Sequence, residues 1–268
     1  WTLDVFANYV KGVNSDLNGD GMMDYEDRWG FFSENGNSFM TYFAAGGTVT
    51  ERDGDSLTVN FDSQRNVDIL VKALEIITDP DVTLMANDYV TKNGGSWSVA
   101  SAWYASGHAL MRSSVFEPIP RDYRTMETDF GVLPYPKYSE EQEHYIGYTQ
   151  ATSAFAIAVP KTTADPDRTG ALLEALAAQS VSTVENAFYD ISLNGKFVRD
   201  EESKATIDMI FDNKYFDIGN ILDIGGFMSQ VQTLEKKKSL DVMSMTAKTK
   251  DKAIGALDKY FENMSNLD

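Results

Sequence analysis

Strand-like and helix-like apolar patterns take turns along this chain, and that alternation leaves few folds open. In "WTLDVFANYVKGV", Leu3, Phe6 and Val10 share one helical face, and Gly12 stops the run. "RWGFF" reads as a strand, and "FMTYFAAGGTV" as an apolar stretch closing in a turn at Gly46-Gly47. "DGDSLTVNF" reads as a hairpin arm in which Leu57, Val59 and Phe61 alternate. The spacing predicts a helix from an N-cap at Asp62 to Thr78, burying Val67, Leu70, Val71, Leu74 and Ile77. A second helix is expected over 96–106, with Val99, Ala102, Trp103 and Ser106 on one face, before Gly107 and a short strand in "HALMRS". "DFGVLPYP" and "TSAFAIAVP" are further strand candidates on either side of a polar loop containing "SEEQEH". Asp165-Pro166 then caps a helix carrying Leu172, Leu173 and Leu176, and the final helix sets Ile254, Leu257, Phe261 and Met264 in register. Strands interleaved with helices, followed by a helical last third, predict an α/β fold. The chain shows no internal repeat and no low-complexity segment.

Composition narrows the function. A chain of 268 residues with 43% hydrophobic content can bury one large core or two lobes. A formal net charge of -18 argues against nucleic acid and against an anionic membrane surface, both of which select basic faces. With no cysteine there is no disulfide, thiolate nucleophile or Cys-zinc site, and His108 and His144 are too few for a multi-histidine centre. The acidic pairs Glu140-Glu141 and Glu201-Glu202 lie in hydrophilic runs and read as solvated surface rather than a glycosidase pair. No G-x-S-x-G elbow occurs, and the pairs Gly46-Gly47, Gly94-Gly95 and Gly225-Gly226 read as turns. A non-catalytic role is expected. The rivals are a calcium-stabilised secreted glycoside hydrolase and a calcium-dependent adhesion or scaffold module.

"DLNGDGMMDYED" carries the densest constellation. Ca²⁺ is a hard cation that takes roughly six to eight oxygens, and a loop with ligands at positions 1, 3, 5, 9 and 12, a carbonyl at 7 and Gly at 6 can wrap it. Asp16, Asn18, Asp20, Gly21, Met22, Asp24 and Asp27 fill those places in order. The expectation is a structural Ca²⁺: a saturated cage has no open position for a substrate. A single calcium loop of this kind suits an extracellular setting, where calcium is plentiful.

Four stretches, in order, resemble the extracellular solute-binding proteins of ABC importers, the family that includes maltose-binding protein. They are "DLNGDGMMDYEDRWGF" with "YFAAGG", then "YASGHALMRSSVFEP", then "DFGVLPYPK", then "SAFAIAVPKTTADPDRTGALLEALA". The resemblance implies a periplasmic-binding-protein-like fold of type II, mostly the second lobe with returning segments of the first. Residues 1–98 would form a second-lobe segment with the calcium loop, 99–160 the crossing strands, and 161–268 the helical remainder. It further implies capture of a small solute, a sugar, by a monomer that hands it to a membrane permease. The setting would be extracellular, at a cell-surface lipoprotein. Ligand-facing positions by the same resemblance are Asn37, Phe39, Arg112, Phe116, Tyr148 and Phe227. Trp103 is expected in the core, and Trp97 is open between helix-start packing and cleft rim.

Overall fold

The structure, a computed structural model, describes residues 1–54, 56–90, 95–150, 155–188 and 200–266. Helix α1 (Leu3–Val10) starts under Thr2, whose hydroxyl accepts from the Val5 N–H, and buries Leu3, Phe6 and Val10 as their spacing predicts. After the acidic loop, "WGFFS" forms β1 (Trp29–Ser33), buried at every position. The next apolar stretch is not a plain connection but helix α2 (Asn37–Ala44), all eight of its residues buried. A helix covered on all sides has no polar stripe, so its period is invisible in the sequence. β2 (Thr50–Asp53) and β3 (Ser56–Val59) pair antiparallel as the expected hairpin.

Helix α3 (Gln64–Ile77) takes Ser63 as its N-cap position rather than Asp62. Asp62 is instead held by Lys250, with Nζ at 2.5 Å. β4 (Thr83–Met85) follows, then α4 (Ser96–Ala105) and β5 (Ala109–Arg112). α4 buries the small residues Ala100 and Ser101, not the expected face with Val99 and Ser106. The chain continues through β6 (Gly147–Tyr148), α5 (Pro166–Ser180), α6 (Glu201–Asp212), β7 (Lys214–Tyr215), α7 (Ile218–Ile221), α8 (Phe227–Lys236) and α9 (Val242–Ser265).

The central sheet has the order β4-β1-β5, and both pairings are parallel. Register places Ser33 beside Met85 and Phe32 beside Arg112, so the carboxyl ends of the three strands share one edge. Helix α1 lies hard against β1: a Cβ on Gly30 would sit 2.0 Å from the Val10 carbonyl oxygen. β6 and β7 form a short parallel pair of their own. The main core joins α1, α2, α3, α8 and α9 through Phe6, Tyr42, Phe43, Leu70, Leu74, Val231 and Leu257.

Four expectations need correction. Residues 129–136 form no strand. They follow an irregular path that ends where Leu3 N–H donates to the Lys137 carbonyl and Lys137 N–H to the Trp1 carbonyl. Of "TSAFAIAVP", 152–154 lie outside the described residues. Residues 155–160 are extended without strand pairing, with Phe155 95% and Ile157 79% exposed. α5 has its expected Asp165 cap but buries no residue. The α9 seam runs through Val242, Met245, Thr249, Ala253 and Leu257 because the 224–226 turn packs on Ala253. Ile254, Phe261 and Met264 therefore face outward. Among the described residues, no helix is long and apolar enough to cross a membrane.

Candidate functional site

In open parallel sheets, ligands bind outside the carboxyl ends of the strands. Here that edge is formed by Ser33-Glu34 at the end of β1, Ala86-Asn87 after β4 and Arg112-Ser113-Ser114 at the end of β5. Glu34 Oε1 lies 2.8 Å from Arg112 Nη2, with the two side chains 12% and 2% exposed. Arg112 Nη2 also donates to the Trp97 carbonyl at 3.2 Å, and Nη1 donates to the Tyr123 hydroxyl. The guanidinium lies 4.9 Å from the centre of the Trp97 ring. Asn35 N–H donates to Asn87 Oδ1 at 2.7 Å, tying the end of β1 to the end of β4.

The chain then turns through Gly36, whose φ of +106° is costly for any residue with a side chain, and enters α2. Asn37 Nδ2 donates back to Ser33 Oγ at 3.0 Å. The first turn of α2 is capped from outside: Glu235 of α8 accepts from Gly36 N–H, Ser38 N–H and Ser38 O–H. Burial pushes the Glu235 carboxyl above its ordinary value, and these three donors oppose that push. The Tyr135 hydroxyl and Gln150 Nε2 each lie 3.5 Å from Met40 Sδ of α2. Burial raises the Tyr135 phenol to about 12. Among the described residues, Arg112 Nε and Ser114 Oγ are buried without a hydrogen-bond partner. Such groups mark places where water or a polar ligand completes the bonding.

Of the positions implied by the family resemblance, Asn37 and Arg112 come together at this edge through Ser33 and Glu34. Phe39 and Phe227 do not join them. Phe39 is 5% exposed, Phe227 is 1% exposed and stacks on Phe61 at 4.9 Å, so both are core rings with no face left for a ligand. Phe116 is half-buried and stacked on Phe211 at 5.3 Å. Tyr148 stacks on Phe43 at 4.6 Å and its hydroxyl bonds the Asn220 side chain. Glu34, Asn87, Tyr135 and Gln150 were not among the expected residues. The one signal for Glu34 is its place directly after an apolar strand.

The acidic loop is folded around its own side chains. Asp16 accepts from Gly19 N–H at 2.6 Å and Gly21 N–H at 2.9 Å, and Asn18 accepts from Asp20 N–H at 2.9 Å. Asp20 and Asp24 accept from the amides two residues on, at 2.8 Å each. Asp27 is buried and accepts from Leu17 and Asp24 N–H, which hold its carboxyl below the usual range. Gly21 has φ +81°, the left-handed turn that the sixth position of a calcium loop needs. As placed, no three acidic or histidine side chains among the described residues are gathered around one point. The loop is anchored to the sheet region: Trp29 Nε1 donates to the Asp24 carbonyl at 2.7 Å, and Tyr25 stacks on Trp103 at 5.1 Å and 11°. Trp103 is thus half-buried under the loop rather than sealed in the main core.

No protein-family model matches the sequence, and no characterised protein matches it in sequence. Solved structures do. The chain is similar to the ABC substrate-binding protein Lmo0181 from Listeria monocytogenes, solved with cycloalternan, at 13% identity and a TM-score of 0.59, over 94% of this chain and 63% of that one. It is also similar to the maltose/maltodextrin-binding domain MalE from Bdellovibrio bacteriovorus, bound to maltotriose, at 15% identity and a TM-score of 0.54, over 96% of this chain and 66% of that one. The chain spans just under two thirds of the length of each. Its fold is that of the periplasmic-binding-protein-like substrate-binding proteins of ABC transporters, as the order of its sequence motifs leads one to expect.

Proposed function

We propose that this chain is the sugar-binding part of an extracellular solute-binding protein that serves an ABC importer, without catalytic activity. The observation that carries the reading is the carboxyl edge of the sheet. There one carboxylate, an amide and incompletely bonded buried donors stand beside the Trp97 ring. A sugar offers what such an edge takes: hydroxyls that both donate and accept, on a ring whose apolar face stacks on aromatics. That both structural neighbours were solved with oligosaccharides supports the same class. The ligand would be passed to a membrane permease, and the protein would act as a monomer tethered outside the cell.

We further propose a structural Ca²⁺ at 16–27, held by the side chains of Asp16, Asn18, Asp20, Asp24 and Asp27 and the Met22 carbonyl. The backbone already turns as such a loop requires, and carboxylates that each accept one or two amides keep lone pairs for an ion. The ion would order the loop beneath Tyr25 and Trp103 and take no part in sugar capture.

A thermal-shift series tests both. The midpoint is expected to rise on adding calcium to EDTA-treated protein, and to rise again with maltotriose or cycloalternan. A flat response to calcium refutes the loop reading, and a flat response across an oligosaccharide panel refutes the sugar reading.

A further inference from the structure

The buried pair at the sheet edge has an unequal division of contacts. Every terminal nitrogen of Arg112 is already engaged: Nη2 with Glu34 and the Trp97 carbonyl, Nη1 with the Tyr123 hydroxyl, and the guanidinium plane beside the Trp97 ring. Its side chain is 2% exposed, and of its nitrogens only the buried Nε has no partner, so no two-pronged fork is left to present to a ligand. Glu34 is different. Only Oε1 is bonded to Arg112, and its side chain keeps 12% exposure at the rim. A buried ion pair is a poor source of stability, because desolvating two charges costs about as much as their attraction returns. It does fix direction: an arginine held at several points offers one rigid donor to its carboxylate.

The same guanidinium touches elements far apart in sequence. Trp97 lies in the first turn of α4, Tyr123 closes the helical turn at 119–123, and Ser101 of α4 donates to Asp122 beside it at 2.5 Å. We infer that Arg112 is a positioning residue. It holds the Glu34 carboxylate in the orientation that receives a ligand hydroxyl, and it fastens the start of α4 and the 119–123 turn to that carboxylate. This rests on the sugar-binding reading for its ligand and on the geometry alone for its fastening role.

The test compares the wild-type chain with R112K, R112M, E34Q and R112M/E34Q, by hydrogen exchange and by calorimetric titration of maltotriose and cycloalternan. In R112M, amides at 33–37 and 95–101 exchange at least tenfold faster without any sugar, and R112K, which keeps the charge but loses the fork, falls between. Sugar affinity in R112M drops about 10- to 100-fold, as for loss of one charge-assisted hydrogen bond. In the E34Q background the same change costs no further affinity, since there is no carboxylate left to orient. Equal losses in both backgrounds, or unchanged exchange at 33–37 and 95–101, overturn the assignment. If R112M does not fold, R112K and the double variant, which leaves no charge buried alone, decide it. Should the wild-type chain take up neither sugar, the sugar reading falls and the exchange data alone judge the fastening role.

Discussion

Glu235 offers the sharpest check on the packing described above. Its carboxylate reaches from α8 to the buried first-turn amides of α2, a helix with no side-chain cap of its own, and accepts from Gly36 N–H at 2.5 Å and from Ser38 N–H and O–H at 2.9 Å each. In Glu235→Ala the serine hydroxyl can turn elsewhere, but the two buried amides cannot. At about 1–3 kcal/mol for each orphaned donor, less the relief of no longer burying a carboxylate, the loss comes to about 2–4 kcal/mol. Glu235→Gln keeps one acceptor oxygen and loses about 1–2 kcal/mol. The pH dependence has a definite sign. Burial raises the native Glu235 carboxyl above its unfolded value of about 4.3, so the native state binds the extra proton. Its contribution is therefore complete below that unfolded value and declines as pH rises through the raised native one. Urea unfolding of wild type and Glu235→Gln from pH 4 to 7 reads this directly, because Asp217, raised by burial in the same way, is common to both and cancels. The stability gap is expected to narrow as pH rises. A gap that widens would mean the three donors outweigh burial, and would refute the reasoning.

Three other changes test separate features. Gly30→Ala places a Cβ 2.0 Å from the Val10 carbonyl and must lift α1 from β1, lowering stability by about 3 kcal/mol or more in denaturant unfolding. Tyr25→Ala removes the parallel stack on Trp103 and is expected to cost about 1 kcal/mol, with a red shift in tryptophan emission as that ring meets water. Phe155→Ser should leave stability within about 0.5 kcal/mol, since the ring is 95% exposed, yet reduce binding of a hydrophobic dye.

What could be read from the sequence divides along physical lines. Elements with one wet face declared themselves: α1 and α3 by their helical period, the β2–β3 hairpin by alternation. α2 did not, because a fully covered helix has no wet face to set a period. "DFGVLPYP" and "AFAIAVP" carry the composition of buried strands, but composition cannot say whether a partner strand lies beside them. At the site, Arg112 was legible as a charge at a strand end, but its burial and its four contacts were not. Phe39 and Phe227 show the converse limit: an aromatic near a glycine turn looks alike in a sequence whether it lines a cleft or fills a core.

The bonds joining the first residues to 134–137 also set an order of events in time. Trp1 Nε1 donates to the Pro134 carbonyl across 133 residues, and beside it Leu3 N–H donates to the Lys137 carbonyl and Lys137 N–H to the Trp1 carbonyl. An eight-residue helix is too short to persist alone, so α1 gains permanence only when this contact closes. Closing a loop of that length costs about 4 kcal/mol in chain entropy. At roughly 5–20 residues per second of synthesis, Lys137 follows Trp1 by about 7–27 s. Helix α1 therefore waits through that interval with Leu3, Phe6 and Val10 uncovered, a face open to any chaperone at the ribosome until residues 134–137 arrive.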